Sequence, residues 1–322
     1  MGEFDLIARH FARPVKRAAL GVGDDCALLR VAPGMQLAVS SDMLVAGCHF
    51  FEDVNPAHLG HKSLAVNLSD LAASGATPLA FTLALSLPGI DEPWLKAFAD
   101  GLLRLADEHE CELVGGDTTH GPLNICITIF GEVPPGQALL RSGARAGDDI
   151  WVSGTLGDAR LALDARLGRI ELPPDAFESA LQRLERPTPR LALGRALRGI
   201  ATSALDLSDG LLGDLSHIIE QSQVGAQVDA DAALQTMAAR NHPALRLHDD
   251  QWYQCVLAGG DDYELVFTAP ASRRDQVMAA ARMADTPVTR IGGITKEPGL
   301  RVVDRHGKPL ARQRWASFDH FA

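Results

Sequence analysis

The segment from Asn55 to Gly75 restricts the possible folds of this chain more than any other part of the sequence. Asn55 can cap a helix, and Pro56 suits the first helical turn, where no backbone donor is lost. Gly75 can end the helix in the left-handed conformation, with Pro78 shortly after it. The residues between are so apolar that the helix should be buried on most sides. The sequence therefore predicts a central buried helix.

A narrow polar stripe runs along this predicted helix. It consists of Ser63, Asn67, Asp70 and Ser74, which are spaced four, three and four residues apart and so share one face. A buried carboxylate such as Asp70 needs a hydrogen-bond donor, a cation or a metal beside it. Neighbouring backbone alone could satisfy the stripe, but similar aspartates recur along the chain. Their recurrence favours a functional site.

Most of these aspartates stand beside glycine or serine, after a short apolar strand or at the start of a helix. The set is Asp24, Asp25, Asp42, Asp70, Asp117, Asp206 and Asp209. We expect the strands 36–40, 112–114 and 203–207 to end just before Asp42, Asp117 and Asp209. Each aspartate alone could be a cap or turn residue, whereas together they suggest hard oxygen ligands. Mg²⁺ bridges carboxylates to phosphates, and His and Cys do not accompany the set, which argues against zinc or copper.

Composition narrows the partners that this chain can have. A net charge of −11 argues against nucleic-acid binding, and no apolar run is long enough for a transmembrane helix. The five cysteines are odd in number and scattered, which indicates reduced thiols in a cytoplasmic protein. The sequence also lacks a P-loop and the protein-kinase motifs, so a nucleotide would be bound by other means.

The 322 residues suit two domains, and both halves mix strands with helices in α+β layers. Pro134–Gly136 interrupts the pattern, and a new strand begins near 149. We place the N-terminal domain at 1–140 and the C-terminal domain at 141–322.

Several motifs occur in a fixed order along nearly the whole chain. They are Gly23–Leu28 (GDDCAL), Ser41–Phe50 (SDMLVAGCHF), Asn67–Ala73 (NLSDLAA), Gly115–Thr119 (GGDTT), Arg141–Ala144 (RSGA), Asp206–Leu211 (DLSDGL) and Gly259–Leu265 (GGDDYEL). In this order they resemble the motifs of thiamine-monophosphate kinases, which belong to the aminoimidazole ribonucleotide synthetase superfamily. The resemblance implies phosphorylation of thiamine monophosphate to thiamine diphosphate by ATP, with several Mg²⁺ ions. It also implies a homodimer in which the N-terminal sheets pair into a barrel, and a C-terminal α/β domain that completes the active site of the N-terminal ATP- and metal-binding domain.

The resemblance assigns roles to individual residues. The implied metal ligands are Asp25, Ser40, Ser41, Asp42, Asp70, Asp117, Asp206 and Asp209. The implied ATP contacts are Gly116, Asp117, Arg141 and Ser208, and the implied thiamine contacts are His49, Asp261, Trp315 and Phe318. Two positions depart from many relatives: Ala46 replaces an acidic residue, and Ser41 replaces a threonine. The aromatic side chains from Trp315 to Phe321 can either bind thiamine or anchor the C-terminus.

Three other functions remain open on the sequence alone. A selenophosphate synthetase-like enzyme would carry a reactive cysteine near its N-terminus, but the first cysteine here is Cys26, inside an aspartate motif. A two-metal phosphohydrolase would also use clustered aspartates, although usually with histidines. The third is a metal-binding protein without catalytic activity.

Overall fold

The computed structural model describes residues 3–310, 315, 317 and 318. The chain divides into two units, one formed by Met1–Leu71 with Ala76–Gly136 and the other by Ala72–Gly75 with Gln137–Ala322. The first unit thus ends within the proline- and glycine-rich turn 134–136, whereas the sequence places the change of domain at 140/141.

The elements of the first unit are α1 (Glu3–His10), β1 (Gln36–Val45), α2 (Pro56–Ala73), β2 (Thr77–Leu87), α3 (Glu92–Glu108), β3 (Glu112–His120) and β4 (Asn124–Val133). Helices and strands alternate as far as β3, and β4 then follows without an intervening helix. The strands form a four-stranded sheet in the order β1–β4–β2–β3. Strand β4 pairs antiparallel with both β1 and β2, while β2 and β3 are parallel.

Helix α2 is the central helix that the sequence predicts. The side chain of Asn55 accepts a hydrogen bond of 2.9 Å from the amide of Ala57 and so caps the first turn. Gly75 follows the last turn with a φ of 66°, in the left-handed region. Leu64 and Leu68 are fully buried, as expected for a helix with little polar surface. The prediction of a capped, buried helix is confirmed.

Glycine allows α2 and α3 to approach closely. A side chain at Gly60 would place its Cβ atom 2.1 Å from the carbonyl oxygen of Phe98, and one at Gly101 would reach 1.9 Å from that of Ala57. Real Cβ atoms do not come so close to backbone oxygens. The two helices therefore meet along their backbones, and this contact fixes α2 firmly within the first unit.

The edge strand β1 presents two different faces. The side chain of Ser40 points towards α2, because its hydroxyl bonds to Asp70 of that helix. Asp42, two residues further along the strand, shares this face, and its amide bonds to Asn67 of α2. Alternate residues point the opposite way, and there Leu37, Val39 and Met43 are 47%, 57% and 53% exposed. The first unit therefore carries an apolar strip along the open face of its edge strand.

The second unit contains a larger mixed sheet surrounded by helices. Its elements are β5 (Asp148–Ser153), α4 (Asp158–Arg166), α5 (Pro174–Glu185), α6 (Leu191–Ala196), β6 (Ser203–Asp206), α7 (Leu211–Ser222), β7 (Gly225–Asp229), α8 (Ala230–Leu234), α9 (Asp249–Ala258), β8 (Leu265–Pro270), α10 (Arg274–Met283), β9 (Val288–Thr295), β10 (Gly299–Val303) and β11 (Pro309–Leu310). The seven strands follow the order β11–β10–β7–β9–β5–β8–β6. Over the described ranges, no helix has the length and apolar character needed to cross a membrane. None of the five cysteines, all of which lie within the described residues, takes part in a disulfide bond.

Candidate active site

A pair of carboxylates lies where β1 crosses α2. The hydroxyl of Ser40 donates a hydrogen bond to Asp70, and the side-chain oxygen of Asn67 accepts one of 3.2 Å from the amide of Asp42. Burial first, and the nearby Asp70 carboxylate second, raise the pKa of Asp42 to about 7. We call Asp42 and Asp70 the β1–α2 carboxylate pair. Two carboxylates in such surroundings repel each other and favour a cation.

Ser41 does not join this pair. Its hydroxyl lies 3.0 Å from that of Thr128 and donates a 3.1 Å bond to the carbonyl of Ile127, both on β4. Because successive side chains on a strand point to opposite faces, Ser41 and Asp42 cannot both face α2. The sequence placed the end of this strand before Ser41, but β1 continues to Val45. The pairing of β1 with β4 over its whole length explains the difference.

A second group of acidic residues lines a cavity of about 610 Å³ in the first unit. Its lining includes the loop residues Asp24 and Asp25 together with Gly116 and Asp117 of β3. Gly116 has a φ of 148°, and a Cβ atom there would be 1.8 Å from the carbonyl oxygen of Leu83. Only glycine lets β3 run so close to β2, which brings the adjacent Asp117 to the cavity wall. The sequence predicted that Asp117 follows the end of this strand. In the structure Asp117 lies inside β3, because parallel pairing with β2 continues beyond the two glycines.

His49 lies in the turn that follows β1. Its Nδ1 atom accepts a 3.0 Å hydrogen bond from the amide of Val45, and the ammonium group of Lys62 is 3.4 Å from its carbonyl oxygen. These bonds fix the imidazole ring at the end of the strand that carries Asp42. A role for His49 in binding thiamine stays a prediction.

In the second unit, the turn between β6 and α7 carries the predicted Asp206, Ser208 and Asp209. Asp206 ends the strand and is buried. The carboxylate of Asp214, in the first turn of α7, accepts bonds of 3.1 and 3.0 Å from the amides of Asp209 and Gly210. Burial, and then the Asp209 carboxylate, raise the pKa of Asp214 to about 7. Sequence reasoning missed Asp214, although an aspartate four residues after a glycine at a helix start is a recognisable capping signal.

The segment 259–264 lies directly beside this turn. The amide of Asp261 donates a 2.9 Å bond to the carbonyl of Ser208, and that of Tyr263 donates one of 2.8 Å to Leu207. Asp261 and Tyr263 both have positive φ values, 66° and 49°. Such backbone is costly for residues other than glycine and persists only where the surroundings hold it. The structure thus brings the predicted Asp261, Ser208 and Asp209 together.

A buried ion-pair network anchors the end of that segment. The carboxylate of Glu264 is fully buried and pairs with Arg183 at 2.8 Å and with Arg190 at 2.5 Å. It also accepts a 2.6 Å bond from the hydroxyl of Ser153. The neighbouring Asp262 accepts bonds of 2.9 and 3.0 Å from the amide of Gly157. Asp261 therefore stands in a segment that is fixed on its C-terminal side.

The two predicted aromatic contacts have different surroundings. Trp315 is only 6% exposed, belongs to the core of the second unit and packs edge-on against Tyr253 with ring centroids 5.6 Å apart. Phe318 is 50% exposed, and its amide donates a 3.1 Å bond to the carbonyl of Asp209. Phe321 lies outside the described residues. Of the pair, Phe318 is the more exposed ring, while Trp315 also lines a cavity of about 580 Å³.

Arg141 lies in an exposed loop of the second unit. The hydroxyl of Ser222, at the end of α7, donates a 3.3 Å bond to the carbonyl of Arg141 and accepts bonds of 3.1 Å from the amides of Gly143 and Ala144. The loop is thus tied to the helix that begins beside Asp209. Contact between the guanidinium of Arg141 and ATP stays a prediction.

The chemistry of these groups fits Mg²⁺. Within the part of the chain that the structure describes, no three His, Cys, Asp or Glu side chains are placed to hold one metal ion. The predicted ligands instead form smaller sets of hard oxygen donors, such as the β1–α2 carboxylate pair. Mg²⁺ is usually held by one or two carboxylates together with substrate phosphates, so small sets suit it better than an enclosed cage would.

Comparison with known proteins identifies the family. Residues 23–133 match the N-terminal domain, and residues 145–305 the C-terminal domain, of AIR synthase related proteins. The chain is 47% identical to the thiamine-monophosphate kinase of Salmonella typhimurium (strain LT2) over 327 aligned positions, covering 100% of this chain and 98% of that protein. This chain belongs to the thiamine-monophosphate kinase family. The predictions of the family, of the two-domain fold and of a thiamine-phosphate kinase are confirmed.

Solved structures agree with this membership. The thiamine-monophosphate kinase of Stenotrophomonas maltophilia K279a is 46% identical and superposes with a TM-score of 0.83, over 95% of this chain and 96% of that one. The structure of AaThiL complexed with AMPPCP and TMP is 28% identical, with a TM-score of 0.76 over 91% and 89% of the two chains. The aspartates of the candidate active site can therefore be interpreted as those of a member of this family.

Proposed function

We propose that this protein transfers the γ-phosphoryl group of ATP to thiamine monophosphate by direct in-line displacement, assisted by Mg²⁺ ions, and so forms thiamine diphosphate. The observation that carries this proposal is the 47% identity to a thiamine-monophosphate kinase over the whole chain. The complex of a relative with AMPPCP, an ATP analogue, and TMP supports the same pair of substrates.

The acceptor explains why the reaction needs no dedicated base. Thiamine monophosphate is a phosphate monoester, whose second pKa is about 6, so at neutral pH it is mostly a dianion and already a nucleophile. The chain must therefore orient two anions rather than remove a proton. At about 4 Å and an effective dielectric constant of about 20, each pair of like unit charges repels by about 4 kcal/mol.

The carboxylates are suited to overcome that repulsion indirectly. The β1–α2 carboxylate pair, Asp25 with Asp117, and Asp206 with Asp209 would hold Mg²⁺, while Ser40 orients Asp70. When bound, Mg²⁺ supplies the positive charge that neutralises the phosphates and the transferring phosphoryl group. We assign ATP contacts to Gly116, Asp117, Arg141 and Ser208.

On the thiamine side we keep His49 and Asp261 and favour Phe318 over Trp315 for stacking. The thiazolium ring of thiamine is a permanent cation, and an aromatic face stabilises such a cation by ~0.5–2 kcal/mol. Half of Phe318 is exposed for that contact, whereas Trp315 is committed to the core beside Tyr253.

We also propose that the protein acts as a homodimer in which the two N-terminal sheets join into a barrel. The apolar strip of Leu37, Val39 and Met43 on the edge strand β1 supports this arrangement. An exposed apolar edge strand is a surface that proteins normally cover. Val39→Lys should convert the dimer to a monomer in light scattering, and an unchanged mass would contradict this assembly.

A product assay tests the function directly. The purified protein, ATP, Mg²⁺ and thiamine monophosphate should yield thiamine diphosphate and ADP, and a chiral γ-phosphoryl group should emerge inverted. Asp42→Asn, Asp70→Asn and Asp209→Asn should each lower kcat/KM by orders of magnitude, with Asp100→Asn on α3 as an exposed control. Absence of thiamine diphosphate would refute the function, and retention of configuration or a trapped phosphoenzyme would refute the in-line step.

A further inference from the structure

Residues 16–32 form a folded loop between α1 and β1. The amide of Ala19 donates a 2.8 Å bond to the carbonyl of Leu28, and the amide of Leu28 donates one of 3.0 Å to the carbonyl of Leu20. The chain therefore doubles back, and we call this segment the 16–32 hairpin. Its tip carries Asp24 and Asp25, which line the 610 Å³ cavity together with Asp117.

One glutamate of β3 holds the beginning of the hairpin. Glu112 accepts backbone hydrogen bonds from Lys16 at 2.6 Å, from Arg17 at 2.9 and 3.2 Å, and from Ala18 at 2.9 Å. Partial burial alone would raise the pKa of Glu112, but the amides of Ala18, Lys16 and Arg17 outweigh it and hold the pKa below its usual value. Bonds from several consecutive amides to one ionised carboxylate are charge-assisted and directional.

A glutamate of β4 holds the other end. Glu132 accepts a 3.0 Å bond from the amide of Ala32, and its second oxygen lies 3.6 Å from the guanidinium of Arg17. Arg17 also donates a 3.2 Å bond to the carbonyl of Pro78. Both ends of the hairpin are thus attached to the sheet through side chains, with Arg17 linked to both glutamates.

The hairpin also covers a small apolar cluster on the sheet. Leu79, Ala80 and Val114 are buried there. The side chains that pack onto them include those of Val15, Ala18, Ala27, Leu29 and Val31. The legs of the hairpin are therefore fixed by apolar contacts and by the two glutamates, whereas its tip, residues 23–26, is exposed.

We propose that Glu112 is a positioning residue for nucleotide binding: by fixing the amides of residues 16–18, it holds the hairpin tip so that Asp24 and Asp25 face the cavity. This inference rests on the proposed kinase function, because Asp25 and Asp117 are the groups that would meet Mg²⁺ and ATP. Glu112 is not among the residues that line the cavity and does not belong to the hairpin tip. Its effect is therefore transmitted through the backbone of the hairpin. Removal of its carboxylate should weaken nucleotide binding but leave thiamine monophosphate binding unchanged.

The test compares Glu112→Gln and Glu112→Ala with Glu108→Gln, which removes one exposed carboxylate from the nearby α3. Calorimetry with AMPPCP and Mg²⁺ should give a Kd about tenfold higher for the Glu112 variants, equivalent to ~1.4 kcal/mol. The Kd for thiamine monophosphate should match that of the wild type. In a separate measurement without ligands, hydrogen exchange should accelerate at the amides of residues 16–18, and trypsin should cut faster at Arg30.

Several outcomes would overturn the inference. One is an unchanged Kd for AMPPCP despite faster hydrogen exchange at residues 16–18, and another is no change in either the exchange or the Kd. A third is an equal loss of affinity for AMPPCP and for thiamine monophosphate, which indicates general damage to the fold. If Glu112→Ala does not fold, Glu112→Gln carries the test because it keeps one acceptor oxygen. A wild-type protein that makes no thiamine diphosphate would instead refute the proposed function, so the two failures are distinguishable.

Discussion

Ionisation of Asp42 should destabilise the metal-free protein, and this consequence can be measured without any activity assay. Burial and the Asp70 carboxylate raise its pKa from 3.8 to about 7. In the unfolded chain the group titrates near its ordinary value, so between about pH 4 and 7 the folded protein holds the extra proton. The stability that this proton provides is complete below about pH 4 and is lost as the pH rises through 7.

The size of the effect follows from the shift in pKa. One pKa unit corresponds to about 1.4 kcal/mol, so a rise from about pH 5 to about pH 8 removes at most ~3 kcal/mol through this group. Asp42 is not completely buried and interacts with a second acid, so solvent screening should leave about 1 kcal/mol. For a protein of this size that corresponds to ~2–4 °C in Tm.

Asp42→Asn removes the titration and keeps the shape of the side chain. In thermal unfolding with EDTA, Tm of the variant relative to the wild type should rise by ~2–4 °C between about pH 5 and pH 8. Asp100→Asn, at an exposed site on α3, should show no such trend. Addition of Mg²⁺ at pH 8 should stabilise the wild type more than the variant. If the difference in Tm between Asp42→Asn and the wild type does not grow with pH, the proximity of the two carboxylates is not its cause.

Four further substitutions test other parts of the structure. Phe318→Ala should raise the KM for thiamine monophosphate about tenfold with little change in Tm. Trp315→Ala should instead cost ~3–5 kcal/mol of unfolding free energy. If both variants have a normal KM for thiamine monophosphate, the thiamine contact lies elsewhere. Gly116→Ala should destabilise the first unit by at least ~2 kcal/mol, because its Cβ would meet the carbonyl of Leu83 at 1.8 Å; a wild-type Tm would contradict the close approach of β3 to β2. Glu264→Gln should cost ~3–5 kcal/mol in denaturant unfolding, since it removes the buried charge that pairs with two partly buried arginine side chains. A loss under ~1 kcal/mol would show that solvent reaches the network.

Regular elements with strong local signals were predictable from the sequence. The predicted cap and terminal glycine of helix α2 appear in the structure. Of the predicted polar stripe, Ser63, Asn67 and Asp70 lie within the helix, whereas Ser74 lies in the turn that follows it. The sequence missed β7, Gly225–Asp229, and α9, Asp249–Ala258. Strand β7 is short, and its strand character depends on pairing with β9 and β10. Helix α9 has polar residues in its first turn and a weak amphipathic pattern. Tertiary contacts decide such segments more than local propensity does.

The candidate site was predictable as a list of residues but not as an arrangement. Aspartates beside glycine and serine identified the relevant turns and strands, because these residue types serve caps, metals and close backbone approach. Which face Ser41 takes depends on how far β1 pairs with β4, and the sequence did not reveal that length. The supporting role of Glu112 depends on amides of residues 16–18, which lie far from it in the sequence and reach it only by folding, so no pattern of neighbouring residues could identify it.

The two faces of β1 cannot change independently. Residues 39, 41 and 43 alternate with residues 40 and 42 on a single backbone, so a slip of one position against β4 would exchange the faces completely. Val39 and Met43 would then press against α2, and Asp42 would lie on the open apolar side. Any partner that binds the open face therefore also holds the backbone on which Asp42 is mounted. Substitutions on the open face should therefore shift the β1–α2 carboxylate pair, although they do not contact it. Assembly and metal affinity should accordingly rise or fall together.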